Sequence, residues 1–493
     1  MGESGHLGPA CSVTSCRVRL PIPAHRTLIL AGSQAGTRPR YALRRASGLA
    51  PLAENVTATR TVSVGELFAQ MPLTREHWKA GIALFFAFVI EAWEMMIIII
   101  ASGMIATDFE LSPERLGSLI GSIFLGMIPG CLLWGKITDR IGRKKSMVAS
   151  LASYGVLSLV SSFSPTYGIL WGTRFISGMA LAGVLVSAFI YFEELLPVAS
   201  RGRATVYLAS GWPLGMLIAI GVTHALRNTN WHWILAVSSL AGLWALAVWQ
   251  LVPESPYWAA GKGDQALAKA AIERLAGGRL KTNLDQVTLV VEEYQAGSFR
   301  ELFHAKLRGV STLQSAVNFC FCWGYWALAS WMPLLLGQKG LSVPEGNEFM
   351  ALTALIMFPG YMSASWLTHR FGRKRIMVAY VSLAAVFGFL FAQSGTLGEM
   401  YLWSFGLYFF NQGAWGVWDT WMGELYPTEV RGVGYSLGLT VQRVANSLAP
   451  VVVGALLARR TSFAFTVSFI SAFLVGTVIL TLFLHETEGE VLR

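Results

Sequence analysis

Asp139-Arg140-Ile141-Gly142-Arg143-Lys144-Lys145 recurs 230 positions later as His369-Arg370-Phe371-Gly372-Arg373-Lys374-Arg375. A second motif keeps the same offset: Glu194-Leu195-Leu196-Pro197, followed by Arg201-Gly202, returns as Glu424-Leu425-Tyr426-Pro427, followed by Arg431-Gly432. Two different motifs with one spacing indicate a duplicated unit. Because the copies read in the same direction, the halves are expected to be parallel repeats about an axis along the membrane normal.

A membrane enters the argument through what surrounds the motifs. Hydrophobic residues make up 54% of the 493 positions and charged residues 13%, which excludes an ordinary water-soluble domain. Crossing a hydrocarbon core of roughly 30 Å takes about 20 helical residues. Apolar runs of that length are read at 79–106, 114–138, 146–163, 168–192, 204–226 and 231–252, and again at 309–337, 347–368, 375–393, 398–423, 432–458 and 462–484. The expected fold is an all-α membrane protein: twelve transmembrane helices in two pseudo-symmetric six-helix bundles, residues 71–255 and 309–493. Residues 256–308 form a polar cytoplasmic linker, in which 264–275 reads as a short amphipathic helix. Residues 1–70 read as a basic, disordered tail; with no apolar core after its charges, it is not a signal peptide.

The net charge of +10 does not point to nucleic acid, because Lys and Arg lie between apolar runs rather than in a basic domain. With a cytoplasmic N-terminus, the basic loops at 139–145, 201–203, 262–308 and 370–375 all fall on the cytoplasmic side, which predicts both termini there. Five cysteines show neither a disulfide framework nor metal spacing, and no metal or cofactor is expected beyond a proton gradient.

The loop from Gly135 to Lys145 resembles the signature of the major facilitator superfamily, and the resemblance extends over essentially all of 67–484. The chain is most similar to the metabolite symporters that include nicotinate and aromatic-acid permeases and the relatives of synaptic vesicle proteins. Met71-Pro72-Leu73-Thr74-Arg75-Glu76-His77-Trp78, Glu91-Ala92-Trp93-Glu94 and Pro253-Glu254-Ser255-Pro256 support this. Sugar porters share the last motif but usually follow it with Arg, where this chain has Tyr257, and carry paired glutamines where Gln314 stands alone. His369 replaces Asp139 in the second signature loop, so that acid is not repeated. The resemblance implies a secondary transporter that works as a monomer in the plasma (inner) membrane, with a small solute and protons as its partners.

Charges inside spans cost roughly 2.5–3.5 kcal/mol each and need a partner or a wet cavity, which makes Glu91, Glu94, Arg174, Asp419 and Arg443 the informative residues. Glu91 and Glu94, three apart, point toward one helical face. Two acids crowded there are expected to keep a proton on at least one near neutral pH, which suits proton coupling; hydrogen bonding to neighbouring helices is the alternative. Arg174 is expected to pair with one of them. Arg443, in Gln442-Arg443-Val444-Ala445-Asn446, suits a carboxylate, either of the substrate or of another helix. Asp419 is expected near the cytoplasmic vestibule. In the superfamily arrangement helices 1, 4, 7 and 10 line the cavity, so Trp323, Tyr325, Trp326 and Trp415 are expected to offer ring faces to a flat aromatic acid; lipid-facing Trp is the alternative. The repeated loops read as gates: Asp139, Arg140, Gly142, Arg143, Lys144, Glu194 and Arg201, with Arg370, Arg373, Glu424 and Arg431, are expected to form ion pairs that break as the halves rock. The whole reading is a proton-coupled importer of a small organic anion, with a hexose porter, an exporter and a transport-dead receptor as alternatives. No strong catalytic pattern suggests an enzyme.

Overall fold

The computed structural model describes residues 60–487, apart from 202–206, 281, 292–297 and 428. Ten described helices are long and apolar enough to cross a membrane. They are α1 (Arg75–Ile100), α2 (Pro113–Ile141), α4 (Tyr167–Leu195), α5 (Tyr207–Ala225), α6 (Trp231–Leu251), α7 (Arg308–Gln338), α8 (Val343–Phe371), α9 (Arg373–Ala392), α11 (Arg431–Ala458) and α12 (Phe463–Thr481). Two more, α3 (Arg143–Ser162) and α10 (Leu397–Glu424), complete a twelve-helix bundle. Both are diluted by polar residues: α3 opens on Arg143, Lys144 and Lys145 and is rich in serine, and α10 carries Glu399, Asn411, Gln412, Asp419 and Glu424.

Local chemistry sets several helix ends. Ser112 caps α2 by accepting from the Arg115 N–H, and Pro113 supplies a first turn that needs no donor. At the other end α2 and α8 stop at Gly142 (φ 100°) and Gly372 (φ 91°), backbone conformations that side chains with a Cβ disfavour. The repeated glycine is therefore required by the turn that lets each hairpin reverse.

Small residues let the helices close on one another. Gly126 of α2 faces the Phe175 carbonyl of α4, and Gly178 of α4 faces the Ile123 carbonyl of α2. Gly130 packs on Met179 and, 230 positions on, Gly360 packs on Phe409, so the repeat extends into helix packing. Between the halves, Gly117 and Gly121 of α2 abut the Pro450 and Ser447 carbonyls of α11, and Trp331 Nε1 donates to the Pro450 carbonyl at 2.9 Å. This seam lies at the ends of the bundle away from the basic loops. Large apolar side chains such as Leu132, Val156, Trp233, Met362 and Trp366 project from the outside of the bundle, as a surface solvated by lipid requires.

The tail boundary differs from the expectation. Residues 60–70, assigned to a disordered tail, form strand β1 (Arg60–Ser63) and a helix (Val64–Gln70), whereas residues 1–59 lie outside the described residues. Strand β1 pairs in parallel with β2 (Val287–Val290) of the linker. The amphipathic linker helix spans Gln265–Ala276, and the Gln265 amide bonds both the carbonyl and the N–H of Leu289 at 2.8 Å. Thr74 Oγ1 donates to the Leu275 carbonyl at 2.6 Å and so ties the start of α1 to that helix.

Candidate functional site

The two acids of α1, alike in sequence, sit in different surroundings. Glu94 is fully buried in a cage: Oε1 accepts from Ser238 Oγ of α6 at 2.5 Å, and Oε2 accepts from the Tyr154 hydroxyl of α3. Arg174 of α4, also fully buried, donates from Nη1 to Tyr154 Oη at 3.0 Å and from Nη2 to the Glu94 carbonyl at 3.2 Å. Arg174 thus serves Glu94 through its backbone and through Tyr154. Among the described residues no direct salt bridge joins the two side chains.

Glu91, one turn earlier, keeps Oε2 buried without a hydrogen-bond partner. Arg443 of α11 lies within electrostatic reach of Glu91 from the first half and of Asp419 of α10 from the second. Among the described residues no carboxylate closes on it as a salt bridge, and its Nε is buried without a partner. Its field also reaches Cys131 of α2 and Cys322 of α7, so groups on four other helices lie within reach of this guanidinium. An unpaired guanidinium between two carboxylates is suited to take a third, incoming anion.

Rings lie beside this charge cluster. Trp212 of α5 donates Nε1 to Tyr325 Oη at 3.0 Å, a hydrogen bond that crosses between the halves. Trp326 meets Phe124 of α2 edge-on at 4.5 Å and Trp212 at 5.5 Å. Tyr325 faces Tyr408 and Trp415 of α10, with centroids at 6.4 and 6.1 Å. With its amide turned to satisfy both ends, Asn446 accepts from Trp326 Nε1 at 3.1 Å. Gln412 of α10 lies beside the Tyr325 hydroxyl and accepts from Tyr361 Oη at 3.1 Å.

Two of the expected substrate residues are placed elsewhere. Trp323 stacks on Phe473 of α12 at 4.8 Å, away from Tyr325 and Trp326, because neighbouring helical positions point in different directions. Gln442 donates to Asn318 Oδ1 at 2.8 Å, which Trp418 also serves at 2.9 Å, so its amide joins α7, α10 and α11.

The repeated loops form matching clusters within each half. Arg143 donates Nε to Glu194 Oε2 at 3.2 Å and Nη1 to Asp139 Oδ1 at 3.2 Å. Arg373 holds Glu424 with two bonds, Nε to Oε2 at 2.5 Å and Nη2 to Oε1 at 2.8 Å. Glu254 accepts the N–H groups of Arg143 and Lys144, and Glu486 those of Arg373 and Lys374. Each acid satisfies the first turn of a helix, where donors have no intrahelical partner. Arg201 donates to Tyr257 Oη at 2.7 Å and to the Leu196 carbonyl at 3.1 Å. Lys144 lies over Trp249, and Arg370 over Trp366. Arg431 is also bonded.

Tyr154, Ser238, Trp212, Gln412, Tyr361 and Glu486 escaped the sequence reading. Only Glu486 carried a usable signal: Glu486-Thr487 follows the last span as Glu254-Ser255 follows the sixth.

A duplicated twelve-helix bundle with buried charges and rings between its halves defines a multi-pass membrane transporter of small solutes, not an enzyme. The chain belongs to the major facilitator superfamily, whose family model matches residues 84–450 and again 315–492. It is 30% identical to the niacin transporter NiaP of Acinetobacter baylyi over 432 residues, covering 86% of this chain and 97% of that protein. It is 26% identical over 445 residues to a synaptic vesicle 2-related protein of Xenopus laevis, covering 84% and 79% of the two chains. The solved structure of the E. coli xylose transporter XylE, in a partially occluded inward-open conformation, superposes with a TM-score of 0.70 at 18% identity, covering 85% of this chain and all of that one.

Proposed function

We propose that this protein imports a small organic anion, an aromatic or heteroaromatic carboxylate, together with a proton. The observation that carries the reading is Arg443: a buried guanidinium between the halves, near Glu91 and Asp419, without a salt bridge to either among the described residues. A substrate carboxylate supplies the missing partner, and Tyr325, Trp326 and Trp415 supply ring contacts. The similarity to a niacin transporter supports a pyridine carboxylate as the first solute to try.

The coupling role narrows onto Glu91. Glu94 is held by Tyr154 and Ser238, whereas Glu91 has an unpartnered oxygen and shares the field of Arg443. An arriving anion competes with Glu91 for Arg443, and the proton that Glu91 binds or releases follows that competition. The Arg143–Glu194 and Arg373–Glu424 clusters act as struts that keep each half rigid while the halves rock about the site. Both termini lie on the cytoplasmic side of the plasma (inner) membrane, and one chain suffices for transport.

Uptake of labelled nicotinate, 4-hydroxybenzoate and xylose into proteoliposomes, with and without an inward proton gradient, tests this. Carboxylate accumulation should follow the gradient. Accumulation of xylose alone, or carboxylate uptake indifferent to the gradient, would reject the anion assignment or the coupling assignment respectively.

A further inference from the structure

One face of α10 carries Tyr408, Gln412, Trp415 and Asp419 at spacings of four, three and four residues, which stacks them in a stripe. Each is tied to the site from the bundle side: Tyr408 and Trp415 face Tyr325, Gln412 lies beside its hydroxyl, and Asp419 shares the field of Arg443. From Gln412 to Asp419 the helix rises about 10 Å. That is close to the reach of a single aromatic ring, its carboxylate and a hydrogen bond of about 3 Å at each end.

The upper part of this stripe holds two buried donor groups, Gln412 Nε2 and Trp415 Nε1, that no well-formed hydrogen bond satisfies. Gln412 is 1% exposed; its Oε1 accepts from Tyr361 Oη, and the two N–H groups of its Nε2 have only the neighbouring Tyr325 hydroxyl, without good hydrogen-bond geometry. One turn along, Trp415 Nε1 is also buried without a partner. Tyr325 Oη, their neighbour, already accepts from Trp212 of the opposite half. Buried donors left unpaired cost stability, and a cluster of them beside a solute site is matched by a ligand that brings an acceptor.

We propose that Gln412, with Trp415 beside it, reads the ring of the transported anion and selects a ring that carries a hydrogen-bond acceptor. This rests on the reading in which Arg443 holds the carboxylate at the other end of the stripe. A pyridine carboxylate offers its ring nitrogen to the two donors. Benzoate has the same shape but presents only C–H there and leaves both donors unpaired.

Counterflow of labelled nicotinate and labelled benzoate, measured on the full chain in one proteoliposome preparation, tests this as a ratio of rates, so loss of folded protein cancels. Wild type should prefer nicotinate by roughly tenfold or more, the worth of about one good buried hydrogen bond. Gln412→Glu keeps an acceptor for Tyr361 but removes the free donor, and should lower the ratio about tenfold. Trp415→Phe, a second variant that keeps a ring, should lower it in the same direction. A wild-type ratio near one, or a ratio that neither variant changes, overturns ring reading and leaves the carboxylate reading standing. Transport of neither anion overturns both.

Discussion

Arg373 grips Glu424 with two parallel hydrogen bonds, Nε to Oε2 at 2.5 Å and Nη2 to Oε1 at 2.8 Å, and so fastens the start of α9 to the end of α10. Both side chains are about 15% exposed or less, so water screens the pair only partly. Arg373→Lys keeps the charge but loses the fork. The expected cost is about 1–3 kcal/mol, read as a lower unfolding temperature of the purified protein. An unchanged melting curve would remove this pair from the struts.

Gly142 and Gly372 are constrained twice. Each has a positive φ, and a Cβ at either position would run into a carboxylate, that of Glu254 in the first half and Glu486 in the second. Gly142→Ala and Gly372→Ala should each destabilise by about 1–3 kcal/mol from the backbone term alone, because φ 100° with ψ 165° and φ 91° with ψ 164° fall in a region that is essentially glycine-only. Shortening the colliding acid, as in Gly372→Ala with Glu486→Ala, should not restore stability, because the acid also satisfies the Arg373 and Lys374 N–H groups. Full recovery in that double variant would show that the collision, not the backbone, dominates.

The two acids of α1 should separate experimentally. Glu94→Gln or Tyr154→Phe breaks a fully buried cage that includes Arg174, and either should cost about 1–3 kcal/mol of stability. Glu91→Gln removes no hydrogen bond from the buried Oε2 and should leave melting nearly unchanged, while abolishing uphill uptake and sparing exchange. Gradient-driven accumulation that survives in Glu91→Gln would move the coupling role elsewhere.

Arg443→Gln should abolish carboxylate transport while leaving the protein folded, because the guanidinium has no salt bridge among the described residues for the fold to lose. The check is nicotinate counterflow beside a melting curve. Normal counterflow would end the case for Arg443 as the carboxylate site.

At the seam between the halves, Gly117 and Gly121 let α2 touch the α11 backbone, and no larger side chain fits there. Gly121→Trp should prop the seam open and block counterflow, because the bundle can no longer close on the side away from the basic loops. Counterflow at the wild-type rate would mean that this seam does not have to close during transport.

How much the sequence determines follows from which properties are local. Apolar length is local, so the twelve spans were legible from composition, even α3 and α10, whose polar residues dilute them. The 230-residue offset was legible because Gly142 and Gly372 must turn, and Arg143–Glu194 and Arg373–Glu424 must meet, in each copy. Burial of charge also marked Glu91, Glu94, Arg174, Asp419 and Arg443, since an ion in an apolar run is costly wherever it points. What each charge does was not legible. Glu91 and Glu94 differ only because Tyr154 and Ser238 reach one of them from α3 and α6, and Trp323 parts from Trp326 because α12 stands on one side of α7 and the first half on the other. Partners drawn from five or six helices are a property of packing, and packing is fixed only when the small-residue contacts bring those helices together.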